Sequence, residues 1–154
     1  MHPAPHIPLA SEIMNASVNC LGCDEPIEVA IRTLLRRGFS GAPVVDADGK
    51  LCGVVSERDC LRVLASAAFY NQPEGTVQAH MTREVISVEP TADLFRILSI
   101  FEDNAVRRVP VVEDGRVVGL ITRRDLLRAL SHVGEARVAH GREPRDIAAG
   151  RSAV

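Results

Sequence analysis

GVVSERDCL, residues Gly53–Leu61, returns as GLITRRDLL at Gly119–Leu127. Each stretch reads glycine, two aliphatics, a hydroxyl residue, two polar residues, aspartate, then helix-like text. Placed side by side, the rest of the chain follows them. At an offset of 67 residues Met14 falls on Met81, Val18 on Val85, Ile27 on Leu94, Ile31 on Leu98, and PVV at 43–45 on PVV at 110–112. Beyond that the offset is 66: Gly49 meets Gly115, Gly53 meets Gly119, Asp59 meets Asp125 and Leu61 meets Leu127. The lost residue sits where DADGK is answered by EDGR. A length change confined to a turn is what a structural repeat tolerates.

Each copy reads as strand, helix, strand, tight turn, strand, helix. The first extended stretches are Ser17–Leu21 and Val85–Val88. The first helix of copy one has Asp24 as its cap and Pro26 in its first turn, with Ile27, Ile31, Leu34 and Leu35 on one face and Gly38 as its stop. In copy two Thr91 caps, Asp93 lies in the first turn, and Leu94, Ile97, Leu98 and Phe101 form the face. DG between apolar runs marks a hairpin. The closing helices cover 57–69 and 123–132. A unit of about 60 residues is marginal alone, so two copies should pair about a pseudo-two-fold with a cleft between them. The fold class is α+β. Residues 1–10 read as an arm, 11–70 as repeat one, 71–80 as a linker, 81–132 as repeat two and 133–154 as a flexible tail.

Composition narrows the function. Of the 154 residues 46% are apolar but only 3% aromatic, so the core is aliphatic. The net charge of −2 argues against a general nucleic-acid or membrane-surface binder. No apolar run is long enough for a spanning helix, and MHPAPHIPLA lacks the layout of a secretory signal. The expected location is the cytoplasm, with Cys20, Cys23, Cys52 and Cys60 as thiols.

SGAPVVDADGKLCGVVSERDCL and RRVPVVEDGRVVGLITRRDLL, each preceded by a methionine and a short helix, resemble the cystathionine-β-synthase (CBS) domain, which occurs in tandem pairs. The resemblance covers about residues 10–132. It implies a three-stranded sheet with two helices on one face per repeat. It also implies pairing of the two-repeat module into a homodimer through its helices, and a regulatory role toward an unidentified protein effector. Adenosine-containing ligands (AMP, ADP, ATP, NAD or S-adenosylmethionine) would sit in the clefts as regulators rather than as required cofactors. The family's ribose and phosphate motif, glycine, aliphatic, any, Ser/Thr, any, any, Asp, is matched at Gly53, Val54, Ser56 and Asp59, and at Gly119, Leu120, Thr122 and Asp125.

The residue types suit that chemistry. Ser56 and Thr122 sit where a helix begins, beside unpaired N–H groups and the positive end of the dipole. Gly53 and Gly119 allow close backbone or ligand approach. Asp59 and Asp125, three residues after the hydroxyl, accept only, as two neighbouring ribose hydroxyls require. The same Ser/Thr-x-x-acid spacing also makes a helix capping box, and the two roles can coexist through different atoms. An adenine slot would draw on Val18 and Ile86, on Ser40, Ala42 and Pro43, and on Val109 and Pro110, several of which also suit plain core packing. Arg107, Arg108, Arg123 and Arg124 could pair with a phosphate, with Arg107 and Arg124 favoured. The arginines suggest that the second pocket holds the more highly charged ligand. Cys20 and Cys23 have metal or redox spacing, but no second pair follows them, and a full zinc site needs four ligands. No catalytic constellation appears, so the chain is not expected to be an enzyme. A ligand-independent dimerisation scaffold is the alternative.

Overall fold

The computed structural model describes residues 6–70 and 73–139, without the side chains of 69–70 and 136–139. The elements run α1 (Ala10–Ile13), β1 (Leu21–Gly22), α2 (Ile27–Arg37), β2 (Gly41–Val45), β3 (Leu51–Ser56), α3 (Glu57–Tyr70), α4 (Val77–His80), α5 (Leu94–Asp103), β4 (Arg108–Glu113), β5 (Arg116–Thr122) and α6 (Arg123–Ala139). The doubled phrase is the β3–α3 corner and the β5–α6 corner.

Both hairpins are antiparallel, and each has its bulge at the corresponding place, Val44/Val45 and Val111/Val112. The hairpin tips pair reciprocally. Leu51 N–H donates to the Gly115 carbonyl at 2.9 Å, and Val117 N–H donates to the Gly49 carbonyl at 3.4 Å. That exchange of equivalent bonds marks the pseudo-two-fold.

The first strands are shorter than the apolar text suggests. Only Leu21 and Gly22 pair, in parallel, with Val44 and Val45. In repeat two the third strand contracts to one bridge, Val88 to Val111. A proline accounts for the difference. Cys23 N–H extends the first ladder by donating to the Val45 carbonyl at 3.0 Å. Its counterpart, Pro90, has no N–H to give.

The caps also differ from expectation. Asp24 does not cap α2: Pro26 is the N-cap residue, without a side-chain bond, and Ile27 N–H takes the Gly75 carbonyl instead. In repeat two Asp93, not Thr91, caps α5 by accepting from Arg96 N–H at 2.9 Å. Gly38 does end α2, in the left-handed conformation at φ 68°. Helix α6 continues past His132 to Ala139, into the stretch read as tail, while 140–154 lie outside the described residues.

The stretches read as arm and linker hold the two halves together, by exchange. Pro8 carbonyl accepts from Leu94 N–H, Ala10 N–H donates to Ala92, and Ser11 N–H donates to Pro90. At the equivalent positions Gly75 carbonyl accepts from Ile27 N–H, Val77 N–H donates to Glu25, and Gln78 N–H donates to Cys23. So the segment leading into repeat one docks on repeat two, and the segment leading into repeat two docks on repeat one. Ala10 is fully buried in the second apolar cluster, with Leu94, Ile97, Val109 and Ile121. Val77 is fully buried in the first, with Ile27, Val44 and Val55. Burying a valine side chain in this way contributes roughly 1.5–3 kcal/mol.

Candidate functional site

Two corners, built alike, carry the candidate residues. In the first, β3 ends at Ser56 and α3 begins. Asp59 Oδ2 accepts from Ser56 N–H at 2.9 Å and from Ser56 Oγ at 3.0 Å, while Asp59 N–H donates to Ser56 Oγ at 3.3 Å. In the second, Asp125 Oδ2 accepts from Thr122 N–H and from Thr122 Oγ1, both at 2.9 Å, and Asp125 N–H donates to Thr122 Oγ1 at 3.3 Å. Both are reciprocal capping boxes with aspartate as the acid. The capping role is therefore met at both ends, and what distinguishes the corners is the second carboxylate oxygen.

In corner one that oxygen is engaged. Thr82 Oγ1 reaches both oxygens of Asp59, at 3.2 and 3.3 Å, and Arg62 lies 3.7 Å from Oδ1. Asp59 is 3% exposed. In corner two Asp125 keeps 21% of its side chain exposed, and its nearest cation, Arg128, is 4.0 Å from Oδ1. Asn15 takes the place of Thr82 there, bridging to Leu120 as Thr82 bridges to Val54. The Asn15 side chain accepts from Ser17 N–H at 2.9 Å rather than reaching the aspartate.

The glycines of the motif face protein. A Cβ at Gly53 would lie 2.6 Å from the Thr82 carbonyl and 2.7 Å from Met81 Sδ. A Cβ at Gly119 would run into the Met14 side chain. Each exchanged segment thus lays its methionine over the glycine of the other repeat, and the close approach they permit is a backbone one.

The remaining candidates separate. Ala42 and Val109 are buried in the two clusters, and Pro43 and Pro110 are buried beside them in β2 and β4. Val18 is half-buried, whereas Ile86 is exposed. Arg107 and Arg124, the favoured cations, are both exposed. Arg108 instead crosses the cleft. It leaves β4 opposite Thr122, and its guanidinium donates to Ser40 Oγ in the other repeat. Burial first, then the nearby Arg107, pulls its pKa down, and Glu57 opposes that. Thr82 was not legible as part of the site, although the aligned pairs Met14–Asn15 and Met81–Thr82 mark the position that differs. For Arg108 the signal was Gly41, the residue aligned with it.

The thiols are quiet. Burial and then contact with the Cys52 thiol push Cys23 up to about 11, and burial also raises Cys20 and Cys60. Among the described residues no cluster of three His, Cys, Asp or Glu side chains could hold a metal ion, and no helix is long and apolar enough to cross a membrane. A cavity of about 870 Å³ lies along Ser87–Asp93, Arg96 and Val112–Gly115, and it includes none of the corner residues.

Comparison with known proteins agrees with the doubled corner. The family model for the CBS domain matches twice, over residues 10–66 and 77–132. An uncharacterised protein of Methanocaldococcus jannaschii, MJ1225, is 34% identical over 119 residues; the match takes in 77% of this chain but only 41% of that protein. Hypoxic response protein 1 of Mycobacterium tuberculosis is 31% identical over 122 residues, covering 79% of this chain and 84% of that one. A crystal structure of hypoxic response protein I with two coordinated zinc ions superposes with a TM-score of 0.69 at 28% identity, over 79% of this chain and 98% of that one. The CBS domain pair of protein MJ0100, solved with 5′-methylthioadenosine and S-adenosylmethionine, gives a TM-score of 0.67 at 27% identity, over 82% of this chain and 98% of that one. The chain belongs to the CBS-domain family and is a tandem pair of its repeats.

Proposed function

We propose that the chain is a regulatory module that binds an adenosine-containing ligand in the cleft between its repeats. The observation that carries this reading is the Asp125 carboxylate. It is fixed by Thr122 through one oxygen, while the other makes no hydrogen bond among the described residues and has only the exposed Arg128 near it, at 4.0 Å, on a side chain that stays 21% exposed. A fixed acceptor at a helix start suits the vicinal hydroxyls of ribose, and such a charge-assisted contact is worth roughly 1.5–3 kcal/mol. The MJ0100 pair, solved with two adenosyl compounds, supports the ligand class. Arg107, Arg123 and Arg124, all exposed near this corner, favour a phosphate-bearing ligand such as AMP or ATP.

Mass spectrometry of small molecules released from purified protein tests the reading, followed by calorimetry on stripped protein. An adenosine compound released and rebound supports it. No heat with AMP, ATP, NAD, S-adenosylmethionine or 5′-methylthioadenosine sinks it.

A homodimer scaffold is the second reading, favoured by two equivalent leucines. Leu61 on α3 and Leu127 on α6 are 67% and 68% exposed. Apolar side chains that open, repeated by the pseudo-symmetry, suit a second copy docking on the helices. Dimerisation independent of nucleotide, on sedimentation, would favour it.

A further inference from the structure

Arg108 breaks the symmetry of the pair. Its counterpart is Gly41, and the two meet: a Cβ at Gly41 would collide with the Arg108 guanidinium and would also sit 2.7 Å from the Val55 carbonyl and 3.3 Å from Ser56 Cα. The space that glycine leaves in corner one is therefore filled by an arginine rooted in corner two. The guanidinium donates to Ser40 Oγ, and Ser40 in turn holds the start of α3 by accepting Glu57 N–H at 3.0 Å. Among the described residues no carboxylate lies within ion-pair distance of Arg108. Below it, Asp59 is closed by Thr82 and Arg62. Corner two has the counterpart of Arg62 in Arg128, 4.0 Å from Asp125 Oδ1, but among the described residues it has no counterpart of Arg108 or Thr82: Gly41 offers no side chain, and the Asn15 side chain accepts from Ser17 N–H instead.

We propose that the first corner is occupied by the chain itself, with Arg108 and Thr82 as its plug, so that each chain takes one adenosine-type ligand, at Thr122 and Asp125. The inference rests on the adenosine reading but adds a stoichiometry and two residues that set it. Arg108 fills the ribose–phosphate side of corner one, and Thr82 takes the acceptor that a ribose would use. Both are supplied by repeat two, so the second repeat decides how many ligands the first can hold.

Calorimetry on the stripped full-length chain, with AMP, ATP, NAD, S-adenosylmethionine and 5′-methylthioadenosine as probes, tests it. The expected result is one equivalent per chain for whichever probe binds, weakened at least about tenfold by Asp125→Ala. The Arg108→Ala/Thr82→Val double variant should gain a second equivalent, and adding Asp59→Asn should abolish that gain. Melting curves establish that each variant is folded, and the wild-type stoichiometry stands whatever the variants do. Two equivalents in the wild type, one equivalent that survives Asp125→Ala, or a double variant that stays at one would each overturn the plug. No heat from any probe would remove the adenosine reading itself, which is a different failure.

Discussion

The Thr82 hydroxyl, at the head of repeat two, is hydrogen-bonded to both carboxylate oxygens of Asp59 in repeat one. The bond spans the two halves and is made from an exchanged segment. Asp59 thereby serves two structures, its own helix start and the docking of its neighbour.

That double service makes the two aspartates unequal in stability. Asp59→Ala removes a buried acceptor of three hydrogen bonds, from Ser56 N–H, Ser56 Oγ and Thr82 Oγ1. It should destabilise by about 2–3 kcal/mol, while Asp125→Ala, more exposed, should cost about 1 kcal/mol, the scale of a lost cap. Urea unfolding of both variants measures the difference. Equal losses would show that the Thr82 contact contributes nothing.

The two motif glycines should also differ. At Gly53 an added methyl meets the Thr82 backbone carbonyl at 2.6 Å, whereas at Gly119 the three nearest atoms all belong to the Met14 side chain, the innermost being its Cβ at 2.9 Å. Gly53→Ala should cost about 1–3 kcal/mol and Gly119→Ala less. Thermal melts of the pair check the order, and a reversed order would mean that the Met14 contact is the rigid one.

Neither repeat should fold alone. Residues 1–70 lack Val77, Met81 and Thr82, and residues 73–154 lack Ala10 and Asn15, all of which complete the opposite half. Each fragment should show little cooperative unfolding, while the full chain should melt in one transition. Circular dichroism of the fragments, separately and mixed, reads this out. An independently melting fragment would contradict it.

The thiol of Cys23, held at about 11, should react slowly with alkylating reagents at neutral pH and rapidly once unfolded, because the thiolate is the nucleophile. The raised value also sets a direction for stability. The fold favours the neutral thiol, so its contribution is complete below the ordinary thiol pKa and is lost as pH rises from about 9 toward 11. Denaturation midpoints across that range should fall, and Cys23→Ala should flatten the decline.

Much of this was written locally and could be read. The Gly–hydroxyl–Asp spacing, the hairpin at DG and the stop at Gly38 depend on neighbours in sequence, and they stand where the text puts them. The capping box emerged as one of two stated roles for the same atoms. What could not be read depends on which distant segment fills a given place. Asp24 looks like a cap, but the Gly75 carbonyl reaches Ile27 N–H first. Met14 and Met81 align with each other, yet alignment does not say that each lies on the other's sheet. Arg107 and Arg124 were favoured for the cleft over Arg108, yet both are exposed, and only the missing side chain at Gly41 pointed to Arg108.

The reciprocal docking also sets an order of events during synthesis. Pro8, Ala10 and Asn15 have their partners at Leu94, Ala92 and Leu120. As the chain leaves the ribosome, Pro8 and Ala10 have no partner until Leu94 has emerged and Asn15 none until Leu120 has, so final closure waits for nearly the whole pair to be made. Closing so long a loop adds only slowly to the entropic cost, but non-local pairing lengthens the search. Residues 8–15 are thus made well before the partners that fix their place.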